Sequence, residues 1–316
     1  MKIAVIGAGA VGVAVCADLL AMGECRELVL VDLNRERAEG EVMDFSHTNS
    51  LVFSKNTRVL AGDYADVAGS DIVIITAGAQ IKVGQDRKEL AEVNSRIAVD
   101  IARQVERHAP RAILIVVTNP CDILAHFIIA NTGFTPDKVI SAGCIIDTAR
   151  LMKILGDRVA LDPKNIFAMV LGEHGQTAMV PWSVVNIAGQ SLDEYCAAEG
   201  LPPMDKAALT QEMRQAGLEI FRRKLNTNHG IAASVFRIVR AIVVNEHSVL
   251  PVGALLQGAY GLRDVVLGVP AVVNARGIER LLHYRLPPEE LQALHASARA
   301  LQSVVAHVRA QTGLAA

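Results

Sequence analysis

Aromatic side chains are scarce in this chain: 4% of 316 residues, with one tryptophan, too few for the stacked platforms that bind single-stranded nucleic acids. Net charge is nearly absent as well. Thirty-one Lys and Arg oppose 33 Asp and Glu, a balance of −2, so no broad field exists for a nucleic acid or an anionic membrane surface. Recognition of charge therefore has to be local. The cysteines Cys16, Cys25, Cys121, Cys144 and Cys196 form no C-x-x-C pair, which removes the common zinc and dithiol motifs. Packed or free thiols in a reducing cytoplasm are the expectation, with no metal site. No apolar run approaches the ~18 residues of a membrane span. Met1-Lys2 and the apolar stretch to Leu20 imitate a secretory leader, but the glycines inside that stretch speak for a folded loop. Fixed-period repeats and low-complexity tracts are missing too.

What is present is aliphatic bulk: hydrophobic residues make up 51% of a chain long enough for about two domains of ~150 residues. In the first half, Ile3–Ile6, Leu28–Val31, Arg58–Leu60, Asp71–Thr76, Ala112–Thr118 and Val139–Ser141 read as strands. Between them, Val11–Met22, Arg35–Ser46, Leu90–Arg107 and Cys121–Ile129 carry apolar residues at helical spacing. This alternation is the βαβ pattern of a buried parallel sheet. From about Asp147 the texture changes. Helical patterns at Lys206–Leu225 and Ile231–Asn245 are interleaved with strands at Ile166–Leu171, Val249–Gly258 and Val265–Val273, as in a smaller α+β domain. The tail from Pro287 to Gln311 opens on good first-turn residues and repeats Leu291, Leu294, Ala298, Leu301, Val305 and Val308 along one face, which predicts a core-docked helix.

Gly7-Ala8-Gly9-Ala10-Val11-Gly12 follows the first strand and opens the first helix. Gly7 permits the tight turn, Gly9 lets backbone approach a pyrophosphate, and Gly12 lets helix and strand pack closely. A lone G-x-G-x-x-G is a weak signal, but here the second strand ends at Asp32. An acid there accepts hydrogen bonds from ribose hydroxyls and repels a 2′-phosphate, which predicts NAD rather than NADP. Arg35 speaks against that preference unless it is an ordinary exposed arginine at a helix start.

Chemistry on such a cofactor needs a proton donor and acceptor and a group that holds the substrate. Gly172-Glu173-His174-Gly175 places a histidine between glycines after an apolar strand. Asp147, expected at the end of another apolar strand, would orient the His174 ring and raise its pKa if buried beside it. Arg150, three residues on along one helical face, offers a planar fork for a carboxylate. The plain alternative for that pair is an Asp–Arg ion pair at a helix start. The polar segment from Thr76 to Arg87, with Gly78 and Gly84 near its ends, has the composition of a lid that carries Arg87 over a carbonyl; its alternative is a solvated loop. Asn119, in Val117-Thr118-Asn119-Pro120, stands at the carboxyl edge of the sheet, where such folds bind ligands.

These motifs, with the later Asn226-Thr227-Asn228-His229-Gly230-Ile231, occur in an order in which the chain resembles the L-lactate/L-malate dehydrogenase family over essentially its whole length. The resemblance implies an α/β protein: an N-terminal Rossmann domain, a doubly wound parallel sheet over residues 1–145 that binds NAD, and a C-terminal α+β substrate domain over 146–316. It implies that His174 is the proton donor and acceptor, Asp147 its partner, Arg150 the holder of the substrate carboxylate and Arg87 the group that polarises the carbonyl. Ile81, Gln80, Asn119 and Thr227 would face the substrate. Gly7, Gly9, Gly12, Asp32, Gly78, Asn119 and Ile231 would contact the cofactor. It further implies a cytoplasmic homo-oligomer, a tetramer or a dimer, acting on a small 2-oxo or 2-hydroxy acid.

One departure bears on the substrate. Where lactate enzymes of the family carry Gln and malate enzymes Arg, this chain aligns Ile81. Burying a second carboxylate against Ile81 would cost several kcal/mol, so oxaloacetate is disfavoured and an apolar side chain larger than a methyl group, as in 2-hydroxyisocaproate or phenyllactate, is favoured. A one-residue shift would put Gln80 there and restore a lactate-like reading; malate dehydrogenase ranks third. The positions that hold a sugar-bisphosphate activator in allosteric bacterial members align with Met152 and Phe167, so no such activation is expected. The rival outside these enzymes is a catalytically silent NAD(H)-binding sensor, which would have no reason to keep His174, Asp147, Arg150 and Arg87 together.

Overall fold

The computed structural model describes residues 1–51, 56–80 and 87–316, the side chain of Arg87 excepted. The first half runs β1 (Lys2–Ile6), α1 (Ala10–Met22), β2 (Glu27–Val31), α2 (Arg35–Thr48), β3 (Arg58–Gly62) and β4 (Ile72–Ile75). It continues with α3 (Arg87–His108), β5 (Ile113–Val116), α4 (Cys121–Asn131), β6 (Val139–Ser141) and α5 (Gly143–Val159). Three short strands, β7 (Ile166–Phe167), β8 (Asn186–Ile187) and β9 (Gln190–Ser191), precede α6 (Leu192–Ala198), α7 (Lys206–Lys224) and α8 (His229–Val243). The chain closes with β10 (Ser248–Gln257), β11 (Arg263–Asn274), β12 (Gly277–Leu281) and α9 (Pro288–Thr312).

Among the described residues, one sheet of nine strands crosses both halves in the order β12-β11-β10-β6-β5-β4-β1-β2-β3. The strands from β3 to β6 pair in parallel. The Ile-Val-Ile-Ile of β4 shows why: a run of β-branched residues, all buried, suits a strand covered on both faces. Alternate residues feed separate cores. Ile72 and Ile74 pack toward α1 and α8, while Val73 and Ile75 pack toward α3 and α4. Each such side chain, fully buried, stabilises the fold by about 1.5–3 kcal/mol.

Two positions in this sheet locate the site. Strand β1 pairs with β2 on one side and β4 on the other, so the chain order reverses there and the carboxyl ends of β1 and β4 open a crevice. Farther along, β10 meets β6 antiparallel at Gly253 and Ser141, which joins the antiparallel β10–β11–β12 meander to the parallel half. Side chains that close this seam come from both halves of the chain.

Two expectations are corrected. The stretch holding Asp147 is not the end of a strand: it lies in the opening turns of α5. The strand expected over Ile166–Leu171 reduces to Ile166–Phe167, followed by bridges from Leu171 to Met179 and from Gly172 to Gly268. Gly172, at φ +94°, turns the chain away into the loop that carries His174, so Val170 and Leu171 are buried as core without a strand ladder. No helix among the described residues is long and apolar enough to cross a membrane.

Candidate active site

The crevice at the strand reversal is lined by the glycine loop. At Gly7, φ is +113° and a Cβ would lie 2.7 Å from the Ala77 amide nitrogen, so the turns after β1 and β4 pack back to back. At Gly12 a Cβ would come within 1.9 Å of the Gly7 carbonyl oxygen, and only glycine permits that approach of α1 to β1. Gly9 instead faces open space, with no atom within 4 Å of a Cβ. It is the N-cap of α1, and neither a capping side chain nor a first-turn acid meets the free N–H groups. A helix start left in this state suits a phosphate. Beside it, the Asp32 carboxylate accepts the N–H groups of Ala8 at 2.6 Å and Asn34 at 2.8 Å, which holds the acid at the mouth of the loop. Arg35 pairs with Glu39 at 2.9 Å, both side chains half exposed or more, as an ordinary first-turn arginine does. These residues fit an NAD dinucleotide: pyrophosphate on the α1 amides, ribose hydroxyls at Asp32.

The crevice's other wall joins the loops after β4 and β5. A Cβ on Gly78 would meet the Thr118 methyl at 2.3 Å, and Thr118 donates its hydroxyl to the Ala77 carbonyl at 2.8 Å. Asn94 ties them further. Buried on α3, it donates to the carbonyls of Ala79 (3.1 Å) and Asn119 (2.8 Å) and accepts the Ala79 N–H (2.7 Å). Gly78 and Asn119 are thereby brought together. Gln80 is exposed at the end of this wall. Ile81 and the side chain of Arg87 lie outside the described residues, as do residues 82–86 of the expected lid.

The chemical groups converge at the seam. His174 Nδ1 lies 2.7 Å from Asp147 Oδ2, and Arg150 donates to the other oxygen of that carboxylate at 2.9 Å. The loop carrying His174 is clamped from two sides. Its backbone N–H donates to Asp122 Oδ2 at 2.9 Å, while Asp122 Oδ1 accepts the Ser141 hydroxyl at 2.6 Å. From α9, the Ser297 hydroxyl accepts the Glu173 N–H at 2.8 Å. Space for the ring comes from Gly143, where a Cβ would collide with the His174 Cβ at 2.2 Å. Burial works against the His174 imidazolium, but the charge and hydrogen bond of Asp147, with the charge of Asp122, outweigh it and hold the pKa above the ordinary histidine value.

Arg150 is poised differently. Its Nε is buried and has no hydrogen-bond partner among the described residues, and α7 passes so close that a Cβ on Gly217 would lie 3.1 Å from an Arg150 terminal nitrogen. An arginine with one prong on Asp147 and donors to spare is equipped to take a carboxylate. Nearby, a Cβ on Gly230 would meet Ile146 Cδ1 at 2.8 Å, which sets the start of α8 against α5. Thr227 lies in the turn before α8, and Ile231, in its first turn, packs on the cluster that includes Ile145.

Residues 1–141 match the NAD binding domain of lactate/malate dehydrogenase, and residues 145–312 match its alpha/beta C-terminal domain. The chain belongs to the lactate/malate dehydrogenase family. It is 40% identical over 306 residues to an L-lactate dehydrogenase of Acetivibrio thermocellus, covering 96% of each chain. It is 39% identical over 307 residues to L-lactate dehydrogenase 2 of Clostridium acetobutylicum, again covering 96% of each. Among solved structures, the ligand-bound minor L-lactate dehydrogenase of Enterococcus mundtii superposes with a TM-score of 0.94 at 34% identity, over 98% of each chain. The lactate dehydrogenase MGS-M5 from a deep-sea metagenome superposes at 0.90 and 32%, over 97% of this chain and 98% of that one. Like its family, the protein is an NAD-dependent dehydrogenase.

Within this dehydrogenase, Asp122, Asn94 and Gly217 are supports that the motifs do not announce. Asn94 carried a signal, because it interrupts the buried stripe of Leu90, Ala91 and Ala98 on α3 with an amide. The cysteines stay out of the chemistry. All five are free and buried, and burial, with nearby acids, pushes the Cys121 and Cys144 thiols well above their usual range.

Proposed function

We propose that the protein interconverts an L-2-hydroxy acid and its 2-oxo acid, with His174 as the group that gives and takes the proton. The observation that carries this reading is the 2.7 Å contact between His174 and Asp147, with Arg150 on the other carboxylate oxygen. Bound NADH supplies the hydride that reduces the C2 carbonyl. His174, charged through its partnership with Asp147, delivers the proton to the carbonyl oxygen. Arg150 takes the substrate carboxylate and so fixes which face of C2 is presented. Arg87, at the first position of α3, is assigned by its place in the motif to the negative charge that develops on the oxygen. The cofactor half is taken as 1–145 and the substrate half as 146–316, which puts Asp147 and Arg150 just past the boundary.

The sign of the pH dependence follows. Reduction needs His174 protonated and oxidation needs it neutral. A raised His174 pKa therefore carries the base limb of 2-oxo acid reduction above the ordinary histidine range, while hydroxy acid oxidation rises across that same interval. Asp122→Asn retains an acceptor for the His174 N–H but removes one of the charges that favour imidazolium. Its base limb is expected at lower pH than wild type in a kcat/KM profile; a uniform loss at every pH would assign Asp122 to structure alone.

For the substrate we propose an apolar side chain larger than methyl, on the identity of Ile81. The second reading is pyruvate, favoured by the relatives, which are named L-lactate dehydrogenases. Initial rates of NADH oxidation across a panel separate them. 2-Oxoisocaproate or phenylpyruvate is expected to exceed pyruvate in kcat/KM, with oxaloacetate lowest; pyruvate ahead by about tenfold would establish the second reading. Ile81→Arg is expected to move preference toward oxaloacetate, and an unchanged ranking would show that Ile81 does not face the substrate.

A further inference from the structure

The buried face of α9 is made by Leu294, Ala298, Leu301, Val305 and Val308, and Ser297, fully buried among them, interrupts it with a hydroxyl. Packing does not call for that oxygen, since alanine would fill nearly the same volume. Ser234 on α8 shows the usual outlet for a helical serine: it donates to the Gly230 carbonyl of its own helix at 2.8 Å. Among the described residues, both hydrogen bonds of the Ser297 hydroxyl leave α9 instead and go to the loop that carries His174. The approach is close, for a Cβ on Gly172 would lie 2.7 Å from the Ser297 oxygen.

Proton count gives these bonds their direction. A hydroxyl carries one hydrogen, and a carboxylate only accepts. Thr177 spends its hydrogen on the Glu173 carboxylate, so Ser297 is the donor at the 2.9 Å contact between the two hydroxyls. Ser297 in turn accepts the Glu173 N–H at 2.8 Å. A closed circuit results, from the Glu173 amide to Ser297, from Ser297 to Thr177, and from Thr177 back to the Glu173 carboxylate. Each hydroxyl both gives and accepts, the arrangement in which hydrogen bonds reinforce one another. Gly175 leaves room for the Glu173 side chain to fold back on the loop, because a Cβ there would lie 3.0 Å from its carboxyl carbon. The circuit grips the loop at 173 and 177, on both sides of His174, and Ser297 is its member from outside the loop.

We propose that Ser297 is a positioning residue for the reaction: through this circuit α9 holds the His174 loop so that the ring stays aligned on Asp147. The role rests on His174 as the proton carrier. Burial disfavours the imidazolium, as does Arg150 on α5, while Asp147 on α5 and Asp122 on α4 favour it. Of these, the hydrogen bond to Asp147 depends on the ring's alignment. Ser297→Ala is therefore expected to lower kcat for 2-oxo acid reduction by about tenfold. KM and NADH affinity stay near wild type, and the base limb of the kcat/KM profile moves to lower pH. Thr177→Val, which keeps the side-chain shape, opens the same circuit elsewhere, so the double variant is expected within about twofold of Ser297→Ala alone. A wild-type kcat in Ser297→Ala would overturn the positioning role, as would fully additive losses in the double variant. A rate loss with the base limb unmoved would assign Ser297 to the fold alone and overturn it too. His174→Asn, measured alongside, separates the two levels. Wild-type turnover in that variant would remove His174 as the proton carrier; its collapse beside an unaffected Ser297→Ala would remove the role of Ser297 alone.

Discussion

His174→Asn is expected to lower kcat for 2-oxo acid reduction by about 10²–10⁴-fold while leaving NADH affinity nearly unchanged. The split follows from where the residue's contacts go. Its backbone N–H is held by Asp122, and its neighbour Glu173 is held by Ser297, so neither clamp depends on the side chain. The loop therefore stays in place in the variant. What disappears is the ring that meets Asp147 at 2.7 Å, and with it the imidazole whose pKa the charge and hydrogen bond of Asp147 hold above the ordinary histidine value. The glycine loop and Asp32, which would hold the dinucleotide, share no contact with that ring. Paired measurements of kcat and of NADH binding by fluorescence check the result. A loss of NADH affinity equal to the loss of rate would mean that the substitution had damaged the fold rather than the chemistry.

Arg150→Lys is expected to reduce kcat/KM by about 10²-fold, chiefly through KM for the 2-oxo acid. Arginine can place one nitrogen on Asp147 and still present a planar pair of donors to a carboxylate. The 2.9 Å contact commits one terminal nitrogen to Asp147 and leaves the other for the proposed carboxylate. A lysine ammonium is a single point and has to choose. If it stays with Asp147, the substrate loses its anchor. If it turns to the substrate, Asp147 keeps His174 but loses the cation beside it. Either arrangement forfeits charge-assisted hydrogen bonds worth about 1.5–3 kcal/mol each. An unchanged KM would remove Arg150 from the substrate site.

The parallel half of the fold was legible because its strands are unbroken β-branched runs and its helices repeat at helical spacing; β4 and β5 need no long-range information to be recognised. Misreadings fell where apolar runs are too short to show a period. Cys144-Ile145-Ile146 fits the start of a strand and the start of a helix equally, and in the fold these residues open α5. Strand β12 stands at the sheet edge and mixes charged with apolar residues, so it showed no clear strand signal. The site divides in the same way. Motifs placed His174, Asp147 and Arg150 as candidates, and the structure brings these three together. Asp122 was missed because its purpose exists only once Ser141 of β6 and the loop after Gly172 arrive from elsewhere in the chain. Gly217 was missed for a similar reason. A glycine within a helix costs about 1 kcal/mol against alanine, and only the Arg150 side chain lying beneath it explains the choice.

The most direct measurement is the pH dependence of NADH oxidation by wild-type protein with 2-oxoisocaproate, phenylpyruvate and pyruvate, set beside His174→Asn. Turnover is predicted with at least one of these acids, with a base limb above the ordinary histidine value that vanishes in the variant. NADH binding without turnover on any 2-oxo acid, or a profile identical in the variant, would contradict the assignment of His174 and Asp147 as the proton-transfer pair.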